Sequence, residues 1–143
     1  MTTKKNTRLT DAEVRRLETM EKRYRTAARQ QFEIRVNYYH RITGGNYTSI
    51  TVRDQRSRWG SCSSRGTLSF NYRLIFAPPA VLDYVVVHEL CHLTHMNHSK
   101  DFWNMVSSVM PEYKEYRKWL RDHGHELTVE AHMEKLGIPV SLN

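Results

Sequence analysis

The chain has 143 residues, 39% of them hydrophobic and 26% charged, which is enough apolar material for one domain with a single core over residues 1–143. Its net charge of +7 is uneven: residues 1–41 carry 11 Lys/Arg against 5 Asp/Glu, residues 42–76 carry 5 against 1, and residues 77–143 carry 6 against 9. Two distant cysteines, Cys62 and Cys91, exclude a zinc ribbon and argue against a disulfide framework, while a polar, basic start and no long apolar run argue against a signal peptide or membrane span, so a cytoplasmic location is expected.

Residues 1–45 read as a basic helical segment. Thr10 and Glu13 form a T-x-x-E capping box, Leu9 and Val14 are spaced for a hydrophobic staple, and a helix should begin at Asp11. Val14, Leu17, Met20, Tyr24, Ala28, Phe32, Val36 and Tyr39 follow at helical spacing, as one long helix or two in succession, until Gly44-Gly45-Asn46. The basic half could attract nucleic acid or another anion, although a Lys/Arg-rich helix is commonly just a solvated face. Residues 47–54 alternate and are rich in β-branched types, as a strand requires. Residues 57–61 form another extended piece, Ser63-Ser64-Arg65-Gly66 a turn, and residues 67–71 a further strand, so a small antiparallel, hairpin-like sheet is expected.

Pro78-Pro79 opens a helix that is apolar over most of its circumference and should therefore be central. This helix carries His88-Glu89-Leu90-Cys91-His92, an H-E-x-x-H motif. Residues four apart share a helix face, so His88 and His92 can grip one metal ion, and Glu89 can take a proton from a bound water. Two imidazoles and a carboxylate among valines and leucines are costly unless paired or metal-bound. A catalytic zinc takes three protein ligands, and two histidines compete for the third place. His95 would share the face of His88 and His92 if the helix continued, but three ligands from one straight helix suit a tetrahedral ion poorly. His98 has the spacing of the long metzincin motif, which carries glycine where this chain has His95, and Asn97 could supply the turn in a left-handed conformation. His98 is the favoured ligand. Cys91 lies on another face and reads as a small buried hydrophobe. Ser99 should cap a helix reaching Val109, Pro111 should start another that Gly124 stops, and a short helix should run from about Val129 to Leu136. The order of helix, small sheet and helices gives an α+β fold.

A longer string surrounds the motif: Arg58-Trp59-Gly60-Ser61-Cys62-Ser63, Leu68-Ser69-Phe70-Asn71-Tyr72-Arg73-Leu74, Ala77-Pro78, the run from Tyr84 to His92, Asn97-His98-Ser99 and Phe102-Trp103. Over roughly residues 47–123 this resembles the YgjP-like family of zinc metallopeptidases, also described as metal-dependent hydrolases and similar to the SprT-like and WLM zincins. The resemblance implies a minimal gluzincin-like fold with the motif helix under a small sheet and the substrate in the cleft between them. It implies one zinc ion on His88, His92 and His98, with Glu89 as the base. Negative charge developing on the substrate needs a donor opposite the metal, and Arg58, Asn71, Arg73 and Tyr72 are the candidates from the strand region, Arg58 first. Trp59 reads as a core aromatic rather than a substrate platform.

The motif favours a peptide substrate bound along a sheet edge. Arg53, Arg56, Arg58, Arg65 and Arg73 favour a nucleoside triphosphate, because guanidinium matches phosphate geometry. A DNA-associated protease, as among SprT-like relatives, would reconcile the basic helix with the metal site. A DNA-binding module with structural zinc is disfavoured, since such sites are usually cysteine-rich. The sequence assigns no oligomeric state.

Overall fold

A computed structural model describes residues 8–55 and 57–138. Arg56, one of the arginines singled out above, lies outside the described residues. The first element is one uninterrupted helix, α1 (Asp11–Thr43), whose start is the capping box: Thr10 Oγ1 accepts from Glu13 N at 3.1 Å and Glu13 Oε1 from Thr10 N at 2.9 Å. The staple residues Leu9 and Val14 remain largely exposed. α1 buries a single stripe, with Ala28, Phe32 and Val36 fully inaccessible. Several of its arginines are paired rather than free: Arg25 with Glu21 and Asp54, Arg29 with Glu33, and Arg35 with Asp83.

Three strands follow, β1 (Ser49–Arg53), β2 (Gly60–Cys62) and β3 (Thr67–Asn71), in the order β1-β3-β2. The expected antiparallel pairing of the first and last is wrong. β1 runs parallel to β3, with Thr51 opposite Ser69, and only β2 is antiparallel to β3, with Ser61 opposite Ser69. The chain reverses twice, into β2 and out of it, so the two long strands end up pointing the same way. The sheet is mixed, and β2 forms an edge.

A 3₁₀ turn (Tyr72–Phe76) leads to α2 (Pro79–Cys91). Nine of its thirteen residues are buried, as its all-round apolar sequence requires. Arg35 clamps it to α1 by a bidentate pair with Asp83 (both contacts 2.9 Å), and Tyr39 donates to the same carboxylate at 3.1 Å. Then come α3 (Lys100–Val109), capped by Ser99, α4 (Tyr113–His123), a 3₁₀ turn (Gly124–Glu126) and α5 (Val129–Lys135). Gly124 does not stop α4 by a left-handed turn; its φ is −57° and the chain continues into the 3₁₀ turn. Glycine is needed there for another reason: a Cβ would stand 2.6 Å from Trp59 Cζ2. Trp59 is thus pressed onto the α4 end, joining the β2 approach to the C-terminal helices. The core includes Phe32 stacked on Phe70, the valines of α2, Phe102 of α3 and Met133 of α5. No helix among the described residues is long and apolar enough to cross a membrane.

Candidate metal centre

The last turns of α2 place His88, Glu89 and His92 side by side, and the loop after α2 brings His98 back to them. The three Nε2 atoms converge: His98 lies 3.3 Å from His88 and 3.3 Å from His92. Ligating atoms of all three residues lie within 4.8 Å of one another. Two ligands on a tetrahedral ion with bonds of about 2.0–2.1 Å stand about 3.3–3.4 Å apart, so these contacts have the edge length of a zinc tetrahedron. The opposite ring faces are occupied. His92 Nδ1 meets the His95 carbonyl at 2.9 Å, and His88 Nδ1 meets Tyr84 Oη at 3.3 Å. The His95 carbonyl can only accept, so it fixes the His92 tautomer that leaves Nε2 with a lone pair, and the Tyr84 hydroxyl can accept from His88 Nδ1 in the same sense.

His95 therefore does belong to the site, but through its backbone. Its ring is not among the converging nitrogens. The left-handed turn expected at Asn97 is also absent, because positive φ among the described residues is confined to glycines. Instead α2 unwinds through short-range bonds, Leu93 N to Leu90 O and His95 N to Cys91 O, each 3.0 Å, and the His92 ring ties the loop down. α3 supports the cluster from behind: Phe102, fully buried, stacks on His92 with centroids 4.3 Å apart, and Trp103 stacks on His98.

Burial sets the charge states. His88 is pushed down to about 3 by desolvation first, then by His92, His98 and Arg117. His92 is lowered too, chiefly by burial. Both rings are thus neutral near pH 7, the form a metal needs. Glu89, only 5% exposed and with no hydrogen bond to its carboxylate among the described residues, is pushed up to about 8 by burial, partly offset by Arg58. A carboxyl group sunk among apolar side chains at the wall of a cavity is a mark of function rather than of packing. β2 passes directly over it: a Cβ on Gly60 would lie 3.0 Å from Glu89 Oε2 and 3.0 Å from Val85 Cγ1, so a larger residue would have to push these side chains aside. Cys91 is fully buried, its thiol raised to about 12 by desolvation, as an inert core residue.

The strand-derived candidates separate. Arg58 is exposed and acts on Glu89. Asn71 and Arg73 do not face the cleft. The Asn71 amide donates to the carbonyls of Gln55 and Arg58, and its Oδ1 accepts from Arg73 N at 3.0 Å, so the side chain is spent on holding the segment before β2. Arg73 pairs with Asp54 at 3.1 Å, next to Arg25 of α1. Tyr72 lies between these two arginines in the core. Two residues of the site were missed from sequence. Tyr84, one turn before His88, was legible as an i, i+4 neighbour. Arg117 of α4 borders a cavity of about 320 Å³ with Trp59, His88 and Glu89, and nothing local in the sequence marks it.

A helix carrying H-E-x-x-H, a third histidine returned by a loop and an edge strand over the glutamate define a metallopeptidase-type domain of α+β class. The comparisons agree. The description "YgjP-like, metallopeptidase domain" matches residues 2–123, and the chain belongs to that family of metal-dependent hydrolases. The match takes in α1, which the sequence resemblance over residues 47–123 did not. Among solved structures, the crystal structure of the metallopeptidase zymogen of Pyrococcus abyssi abylysin is similar in fold, with a TM-score of 0.57 and 22% identity over 76% of this chain and 97% of that one. No curated protein matches the chain.

Proposed function

We propose that the protein is a zinc-dependent peptidase with Glu89 as its proton carrier. The observation that carries this reading is the convergence of three imidazoles through Nε2, with two contacts of tetrahedral edge length, beside a buried glutamate that lines the cavity. All three ligands are imidazoles converging through Nε2, a donor set that suits zinc. Zinc, when bound, supplies a Lewis acid that lowers the pKa of water and polarises a carbonyl.

The chain's own groups do the rest. Glu89 takes a proton from the attacking water and later hands it to the leaving amine. A cation held by the three histidines would favour its carboxylate form, which taking that proton requires. Arg58, reaching toward Glu89 from the strand side, donates to the carbonyl oxygen as negative charge develops there. The outer edge of β2 offers backbone groups to an extended peptide, which would lie across Gly60 and over Glu89.

The test is purified, zinc-loaded wild type and Glu89→Gln, with metal content measured, against casein and against a panel of nucleoside triphosphates. Casein cleavage should fall by about 10²–10⁴-fold in the variant while metal content stays the same. Glu89-dependent release of phosphate or pyrophosphate, without casein cleavage, would replace this reading with nucleotide hydrolysis.

A further inference from the structure

The cavity of about 320 Å³ beside His88 and Glu89 has its far wall built by α4, with Arg117, Leu120 and Arg121 facing Trp59. It is at the small end of ligand sites, which run from about 300 to 1,000 Å³, and suits one amino-acid side chain or chain end. Its charge is one-sided. Glu89 is the only acid among its lining residues, and Arg117 and Arg121 lie one helical turn apart on one face of α4.

The two arginines differ. Both side chains are exposed, but Arg121 has Asp122 at 3.7 Å. Arg117 has no carboxylate partner among the described residues. Its guanidinium carbon lies 4.7 Å from the centre of the Trp103 ring, and that indole also stacks with Tyr113 and with His98. The guanidinium is therefore held over a fixed aromatic column that ends on a metal ligand, and it is close enough to act on both His88 and Tyr84. Arg25, Arg29, Arg35 and Arg73 have carboxylates, whereas Arg117, like several exposed arginines of α1 and the strand region, has none among the described residues. What sets Arg117 apart is its place in the cavity wall, where the cation–π contact to Trp103 favours one position of an exposed side chain and leaves its N–H groups open to an anion.

We infer that Arg117 selects peptides bearing a carboxylate on the residue next to the scissile bond, either an Asp or Glu side chain or a free C-terminus. This rests on the peptidase reading above and assigns the cavity as the pocket for that residue. Arg117 binds the carboxylate through its guanidinium N–H groups, the apolar walls of Trp59 and Leu120 cover the stem, and Arg121 adds attraction at the rim.

The experiment uses zinc-loaded full-length protein and quenched fluorogenic peptides in matched pairs, Asp against Asn and Glu against Gln, on either side of the cleaved bond, each with free and amidated C-terminus. Wild type should favour the acidic member by about 10- to 100-fold in kcat/KM, the range of a hydrogen bond to a charged group. Preference for acidic side chains in amidated peptides identifies an endopeptidase pocket; preference for free C-termini alone identifies carboxyl-end recognition. Arg117→Gln should bring the paired substrates to near equality, and Arg117→Glu should turn the preference toward Lys or Arg, which loss of packing alone could not do. A second readout is calorimetric binding to zinc-loaded Glu89→Gln, with and without Arg117→Gln, of a peptide hydroxamate bearing a carboxylate arm and of its carboxamide twin. Glu89-dependent cleavage with no acid preference overturns the inference and leaves the peptidase reading standing. Arg117-dependent carboxylate binding without cleavage of any peptide supports the pocket and overturns the peptidase reading. Neither cleavage nor selective binding overturns both.

Discussion

The polar groups of α1 and those of α2 are handled in opposite ways. α1 keeps its charges at the surface and pairs many of them: Arg25 with Glu21, Arg29 with Glu33, Arg35 with Asp83. α2 draws His88, Glu89 and His92 into its last turns and gives the Glu89 carboxylate no hydrogen bond among the described residues. The first arrangement is stable as it stands, because each charge keeps solvent or a partner. The second is costly in the empty protein and becomes favourable only when an ion accepts the imidazole lone pairs. The first region spreads its charge over the surface, and the second gathers the candidate site.

The comparison is broken most severely at a ligand. His98→Ala should lower zinc affinity by more than about 100-fold, whereas His95→Ala, which keeps the carbonyl on His92, should stay within a few-fold. Chelator competition measures both, and equal losses would return His95 to the ligand set. Phe102→Ala removes the fully buried ring beneath His92 and should destabilise the fold by about 3–5 kcal/mol, read from denaturant midpoints.

A pH scan of the metal-free protein isolates the charge states. His88 is lowered from 6.5 to about 3, so the unfolded chain binds the extra proton between these values and stability is lost as pH falls below about 6.5. Glu89 is raised from 4.5 to about 8, so the folded chain holds the extra proton and stability is lost as pH rises from about 4.5 toward 8. The two effects oppose each other between about 4.5 and 6.5, where their combined contribution is greatest. Thermal melts should show wild type declining between pH 6.5 and 8 and Glu89→Gln not declining; parallel curves would contradict the raised carboxyl. The smallest effect belongs to the α1 side. Arg73→Met, which breaks a half-exposed pair with Asp54, should cost at most about 1 kcal/mol and leave kcat/KM unchanged.

The sequence by itself determined the parts of this protein that depend on neighbours along the chain. The capping box at Thr10, the prolines that open α2, the cap at Ser99 and the i, i+4 placement of His88 and His92 all follow from local geometry. Spacing also favoured His98 over His95, because one straight helix cannot surround a tetrahedral ion. Only the tertiary structure decided what depends on contact between distant segments. Whether β1 meets β3 parallel or antiparallel turns on a three-residue strand inserted between them, too short to carry a pattern. Asn71 and Arg73 look like cleft residues until the fold commits one to backbone carbonyls and the other to Asp54. Arg117 looks like any helix-surface arginine until α4 packs beside the metal ligands, because a side chain's partners across space leave no period in the sequence.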